Sequence, residues 1–357
     1  MALTRELVER LCALERGSAS EGERAAAALL RDAFADAGVH AAHVQSFRYS
    51  PRWTDAAALH YLAGLFGPRW LAGLAGASYA SDFSGRLQWS RPLLPRGEGA
   101  NVVARVHPRG PRERTLVLLA HTDTAQTGLM WHPAFTGLWR RVAERTGKSP
   151  SPATTALLAF ALSALAPRRS AGRALLALSL ALTLDVARHR PVPGANDNAC
   201  AAAGLVELAR GFVDEPLERT EVVAVATGCE ESGMGGAAAW LRRARDEFDP
   251  ATTLVVGLDQ IGAGQPHVLT GEGPPLIAHY RKEDVERAGL PTYHAAGWTD
   301  PIMARHAGLP AISIFGIKDG GLPNYHVPTD TPDRVEWDAV DRCLAAARRI
   351  ARDFDAG

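Results

Sequence analysis

Two spacings alternate along the chain. Leu7, Leu11 and Leu14, then Ala25, Leu29, Leu30 and Phe34, recur every three to four residues, predicting two amphipathic helices within 4–37, broken at Gly17-Ser18-Ala19-Ser20. Residues 39–49 read as an edge strand. Short, β-branched apolar runs follow at 101–106, 115–120, 221–226, 253–258 and 311–315. Each has the length of a buried strand. The first two flank Pro108-Arg109-Gly110-Pro111 and read as a strand pair about that turn. Helical spacing returns at 201–210 and at about 336–354. Strands alternating with helices predict an α/β fold, a three-layer α/β/α arrangement on a mostly parallel, mixed central sheet.

Two stretches break the alternation, about 50–98 and 128–190. Residues 55–79 are apolar with little polar interruption except Gly67-Pro68-Arg69. The second stretch holds Ala153–Ala166 and Ala174–Ala187, joined by Pro167-Arg168-Arg169-Ser170-Ala171-Gly172-Arg173. Each apolar run makes about 21 Å of helix, short of the roughly 20 residues that cross a bilayer. The expected organisation is one catalytic domain over 1–357, with these apolar helical insertions as an accessory layer. Three roles suit that layer: a lid over the active site, a membrane contact with Arg168, Arg169 and Arg173 at the headgroups, or a homodimer interface.

Composition narrows the function. Thirty-nine basic and 39 acidic residues leave no net charge, so nothing points to nucleic acid as a partner. Cys12, Cys200, Cys229 and Cys343 lack CxxC spacing, which argues against a disulfide framework and a thiolate metal site. The N-terminal residues lack signal-peptide features, so the expected location is cytoplasmic, or membrane-associated if the insertions meet lipid.

The chemistry gathers at strand ends. Residues 221–226 run into Thr227-Gly228-Cys229-Glu230-Glu231-Ser232-Gly233. Adjacent carboxylates repel, and one is usually driven to hold a proton or a cation. His121-Thr122-Asp123 follows the 115–120 run, Asp259 ends the 253–258 run, and Asp197 and His326 lie in loops. In parallel sheets the functional crevice lies at the carboxyl ends of the strands. Two imidazoles and three carboxylates (His121, Asp197, Glu231, Asp259, His326) suit zinc better than calcium, and cobalt or manganese also fit. Five donors exceed one tetrahedral ion and suit two ions that share a carboxylate. Asp123, two residues from His121, is placed to fix that imidazole's tautomer. Glu230 is left to take a proton from a metal-activated water.

These segments, His121-Thr-Asp123, Gly194-Ala-Asn-Asp197-Asn198, Glu230-Glu231, Leu258-Asp259 and Tyr325-His326-Val-Pro-Thr-Asp330-Thr-Pro332, resemble the aminopeptidase Y-like family of co-catalytic di-zinc exopeptidases. The resemblance covers roughly 1–48, 100–127 and 190–357. It implies His121 and Asp259 on one zinc, Glu231 and His326 on the other, and Asp197 bridging. It also implies Glu230 as general base, Asp123 behind the ligands and Tyr325 as the phenol that stabilises an oxyanion. Only about 95 residues separate Glu231 from His326, which leaves no room for the lid domain of the acylase relatives. Trp298 and Asp300 are the candidates for substrate binding, with Tyr280 and Arg281 beside them, and His132 with Trp131 is close enough in sequence to overhang the site. The expected activity is amide hydrolysis, most simply release of an N-terminal residue from a peptide or small aminoacyl compound. The rivals are a glutaminyl-cyclase-like acyltransferase with a single zinc and a non-catalytic receptor or scaffold module.

Overall fold

A computed structural model describes residues 2–132, 134, 136–137, 141, 151–274 and 276–357. Nine strands form one sheet: β1 (His43–Tyr49), β2 (Gly97–Val106), β3 (Arg114–His121), β4 (Thr220–Thr227), β5 (Thr253–Asp259), β6 (Gln265–Glu272), β7 (Ala278–His279), β8 (Thr292–Ala295) and β9 (Ala311–Ile317). Their order is β1-β2-β4-β3-β5-β9-β6-β7, with β8 also on β6. β4, β3, β5 and β9 run parallel, while β1, β2 and β6 add antiparallel flanks. Every residue of β4, β5 and β9 is buried, as continuous apolar strands of a covered parallel sheet must be.

Helices cover the sheet. α1 (Ala2–Cys12), α2 (Glu21–Asp36), α7 (Cys200–Asp214), α9 (Lys282–Ala288) and α11 (Trp337–Ala356) pack together in one layer; α8 (Gly235–Ala244) and α10 (Pro301–His306) belong to the other. The architecture is the three-layer α/β/α arrangement that the sequence pattern predicts.

The strand pair expected at 101–106 and 115–120 does not form. β4 lies between β2 and β3 and bonds to both. The turn after β2 explains this. Its amides donate to the segment leading into β4, Arg109 to Leu217 O and Gly110 to Glu218 O at 2.9 Å each, and Glu113 to Arg219 O at 2.9 Å. The connection is therefore stitched to β4 instead of closing a hairpin.

Among the described residues, four helices of the insertions pack on one another: α3 (Trp53–Phe66), α4 (Arg69–Phe83), α5 (Pro152–Leu165) and α6 (Ser170–Val186). They have their own small core around Tyr61, Tyr79, Phe160 and Leu176. Phe160 sits where two glycines leave room. A Cβ at Gly64 or Gly76 would come within 2.6–2.8 Å of its side chain. No helix among the described residues is long and apolar enough to cross a membrane.

Candidate metal centre

Neighbouring parallel strands deliver the site. His121 ends β3, Asp259 ends β5, and Glu230 and Glu231 follow β4, whose Thr227 is in register with His121. Past the strand ends the backbone turns sharply. Cys229, Gln260 and His326 all take left-handed φ values, 55°, 49° and 54°. For residues with a Cβ this conformation costs about 1–3 kcal/mol each, so surrounding bonds must enforce it.

Those bonds are present. Asp330 accepts the amides of Asn196 (2.8 Å) and Asp197 (3.0 Å). Asn198 donates to Leu258 O and accepts from the Gln260 amide, and Asn196 accepts from the Gly262 amide. The Asp197 loop and the exit of β5 are thus laced together. Asp123 does the same for the acidic pair. Its Oδ1 accepts the Glu230 amide at 3.0 Å, and its Oδ2 accepts the Glu231 amide at 3.1 Å and the Ser18 hydroxyl at 2.6 Å. Toward His121, Asp123 presents its backbone carbonyl, 3.1 Å from Nδ1, with the carboxylate farther off at 3.6 Å. The carbonyl is therefore the acceptor that fixes the tautomer, and the carboxylate positions the Glu-Glu turn.

Five groups converge. His121 Nε2 lies 3.1 Å from Asp197 Oδ1 and 3.6 Å from Asp259 Oδ1. His326 Nε2 lies 3.4 Å from Asp197 Oδ2 and 3.2 Å from Glu231 Oε2. Two donors each about 2.0–2.1 Å from a tetrahedral zinc stand about 3.3 Å apart. Asp197 Oδ2, Glu231 Oε1 and Asp259 Oδ1 are buried without a hydrogen-bond partner, an expensive state that a cation would relieve. The residues fit the metal. Glu230 offers an oxygen within 4.8 Å of donors on His121 and Glu231.

The electrostatics are those of charges crowded out of water. Burial opposes charge on the imidazoles, but the carboxylates around them win. Asp123, Asp197 and Asp259 hold His121 well above its ordinary pKa, and Glu231 with Asp197 lifts His326 to about 10. Burial raises Glu230, Glu231 and Asp259. Asp197 goes the other way: against burial, the two imidazoles pull it below the carboxylate range.

The remaining sequence candidates are distributed around this cluster. Tyr325 stacks on the His326 ring at 3.7 Å, and Trp131 meets both edge-on, at 5.3 Å from Tyr325 and 4.6 Å from His326. Burial, then Glu231 and Asp197, hold the Tyr325 phenol protonated, far above its usual pKa. Asp300 is buried, accepts the Thr227 hydroxyl and lines a small cavity together with His121 and Asp259. Trp298 is half-buried, packed against the main core over Gly273. An open cleft beside Glu231 is lined instead by Ser18, Arg52, Trp53 and Gln126.

Two buttresses escaped sequence reading. Glu23 is fully buried and accepts the amides of Ala19, Ala100 and Cys229, each at 2.9 Å, so it braces the residue before Glu230. Burial and nearby Asp123 raise it to about 8. The signal was the Ser20-x-x-Glu23 capping spacing, whose cap bond forms at 3.1 Å. Arg16, also fully buried, donates to Pro193 O and Gly194 O just before Asn196.

Comparison with known proteins agrees with this geometry. The family model of peptidase family M28 matches residues 179–351. That is just under half of the chain; it takes in Asp197, Glu230, Glu231, Asp259 and His326 and leaves out His121 and Asp123. No curated protein matches the sequence. Among solved structures, the fold is similar to an aminopeptidase from Aneurinibacillus sp. strain AM-1, at TM-score 0.58 and 15% identity over 97% of this chain and 92% of that one. It is similar to BSAP, a zinc aminopeptidase from Bacillus subtilis, at TM-score 0.57 and 13% identity over 99% and 94%. A glutaminyl cyclase from Fimbriiglobus ruber reaches TM-score 0.58 and 16% identity over 99% and 94%. At these identities the likeness to solved structures is one of fold. With a peptidase-family match over the segment that supplies most of a zinc-type donor set, the chain is a zinc-dependent hydrolase of the peptidase kind.

Proposed function

We propose that the chain is an aminopeptidase of the aminopeptidase Y-like kind, holding two zinc ions and releasing an N-terminal residue from a peptide or small aminoacyl compound. One observation carries the reading. The two oxygens of Asp197 face different imidazoles, Oδ1 toward His121 and Oδ2 toward His326, so two three-donor sets share one carboxylate. On this reading His121, Asp197 and Asp259 hold one ion, and Asp197, Glu231 and His326 the other; cobalt or manganese suits the same donors.

Zinc bound there supplies Lewis acidity toward a water and the substrate carbonyl. The chain's own groups handle protons and charge. Glu230 takes a proton from the attacking water on its carboxylate and returns it to the departing amine. Burial raises its proton affinity, which suits a group that must hold a proton between those events. The Tyr325 phenol donates to the oxyanion as it develops. Asp123 and Glu23 keep the Glu230–Glu231 turn in place through its amides.

The test is zinc per chain in chelator-free protein, with hydrolysis of aminoacyl p-nitroanilides. Near two zinc ions, with hydrolysis that disappears in Glu230→Gln, supports the reading. Near one, with cyclisation of N-terminal glutaminyl peptides, replaces it with the cyclase activity. No zinc uptake and no turnover leave a binding module.

A further inference from the structure

The four-helix insertion has one end that the hydrolytic site does not use. The α3–α4 turn and the α5–α6 loop are clasped together there. Arg69 donates to Ala166 O (2.6 Å) and Pro167 O (2.9 Å), and Arg169 donates to Gly67 O (2.7 Å) and Ser163 O (2.9 Å). Around this clasp stand Phe66, Trp70 and Leu165, exposed by 76%, 67% and 81%. Three large apolar side chains so exposed at one tip are not what a freely soluble surface carries.

Charge is sorted along the same bundle. Residues 56–81 contain one arginine, Arg69, and no acid; residues 152–184 contain Arg168, Arg169 and Arg173 and no acid. The acids Asp55, Asp82 and Asp185 sit at the opposite end and are engaged there. Asp55 lies 3.8 Å from Arg52, Asp82 pairs with buried Arg91 at 2.6 Å, and Asp185 accepts the Leu129 amide at 2.7 Å. A chain with no net charge thus concentrates four arginines and an aromatic-aliphatic crown at one tip.

We propose that this tip docks on the surface of an anionic phospholipid bilayer. Phe66, Trp70 and Leu165 enter the headgroup–acyl boundary, and Arg69, Arg168, Arg169 and Arg173 meet lipid phosphates. Tryptophan and arginine are side chains of that boundary, with apolar bodies and polar heads. The helices, of 14 to 17 residues, are too short to span, so the contact is interfacial. A second copy of the chain is a poor occupant. A two-fold contact sets a patch against itself, which would press the arginine cluster onto its own image with no acid among the described residues of the tip to answer it.

The test uses the full-length protein, sedimented with vesicles of phosphatidylcholine alone or doped with phosphatidylglycerol. Binding should appear only with the anionic lipid and should fall steeply at about 0.5 M salt, where charges are screened within a few ångströms. Phe66→Ser with Trp70→Ser should weaken it at least about tenfold through lost apolar burial. Arg168→Glu, at an exposed position outside the clasp, should weaken it by about the same factor, since each basic residue near such a surface is worth several-fold. Circular dichroism matching the wild type confirms that both variants fold. Equal sedimentation with neutral and anionic vesicles overturns the proposal, as does a double variant that binds like the wild type. Light scattering in which the double variant turns a dimer into a monomer, with vesicle binding unchanged, reassigns the tip to a second copy. All these readouts are independent of amide hydrolysis.

Discussion

Two of the hydrophobic cores among the described residues treat charge in opposite ways. At the carboxyl ends of the central strands, His121, Asp123, Asp197, Glu230, Asp259 and His326 are all buried ionisable groups, carried on segments that backbone-amide hydrogen bonds tie down. In the bundle of α3 to α6 the core around Phe160 is aromatic and aliphatic with neutral polar groups such as Ser163 and Thr183 beside it, Arg69 and Arg168 stand outside, and Phe66, Trp70 and Leu165 are wet. One region spends stability on desolvated charge, which strengthens electrostatics where a bond must break. The other leaves apolar area unburied. Each departure from the usual inside-out rule marks the place where a further contact, with an ion or with a surface, completes the protein.

Substitutions can separate the regions. The largest effect is expected for Glu230→Gln, which should cut turnover by about a thousandfold, the scale of a lost proton-transfer group, while zinc content and melting temperature hold steady. Metal analysis beside steady-state kinetics checks this. Loss of zinc in that variant would show that Glu230 is a ligand.

Phe160→Ala comes next. It empties the bundle's core at a residue only 2% exposed and should cost about 3–5 kcal/mol by denaturant titration. Zinc content should not change, because the bundle's core and the sheet's core are separate clusters. If zinc falls with it, the two regions are one cooperative unit.

A third substitution probes buried charge away from the metal donors. Glu272 accepts the Thr299 amide and hydroxyl and the Tyr280 hydroxyl, and burial lifts its pKa from 4.5 to about 7. The folded state therefore keeps a proton that the unfolded chain releases. Stability from this residue is fully present below pH 4.5 and is lost as pH rises to about 7, up to about 3 kcal/mol by linkage. Glu272→Gln should flatten the stability profile across that window. An unchanged slope between pH 5 and 7 would mean that Glu272 is ionised in the fold.

The smallest effect belongs to Phe66→Ser. The side chain is 76% exposed, so melting in buffer should move by less than about 0.5 kcal/mol equivalent. A large shift would mean that Phe66 is covered in solution.

The sheet strands were legible because buried parallel strands are continuous apolar runs, and the donors were legible because each sits at such a run's end. The neighbour relation was not. A turn of Pro and Gly between two strands suggests a hairpin, and only the long-range bonds from Arg109 and Gly110 to residues 217 and 218 reveal that β4 intervenes. Asp123 shows a second limit. Spacing put it near His121 but could not say that its carboxylate turns toward the amides of Glu230 and Glu231. Glu23 and Arg16 were hidden for a related reason. A charged residue on an amphipathic helix reads as solvent-facing, and its burial is decided by distant loops.

The parallel register of β4, β3 and β5 also works as a gauge. Strands in a sheet stand about 4.8 Å apart whatever side chains they carry. His121 and Asp259, at the ends of the adjacent strands β3 and β5, therefore inherit their spacing from backbone geometry, and the hydrogen-bonded loops have only to bring Asp197, Glu231 and His326 to that fixed pair. Residues lining the cleft can change from one homologue to another without detuning that interval. Such a scaffold lets specificity drift while the distance between the reacting centres is passed on intact.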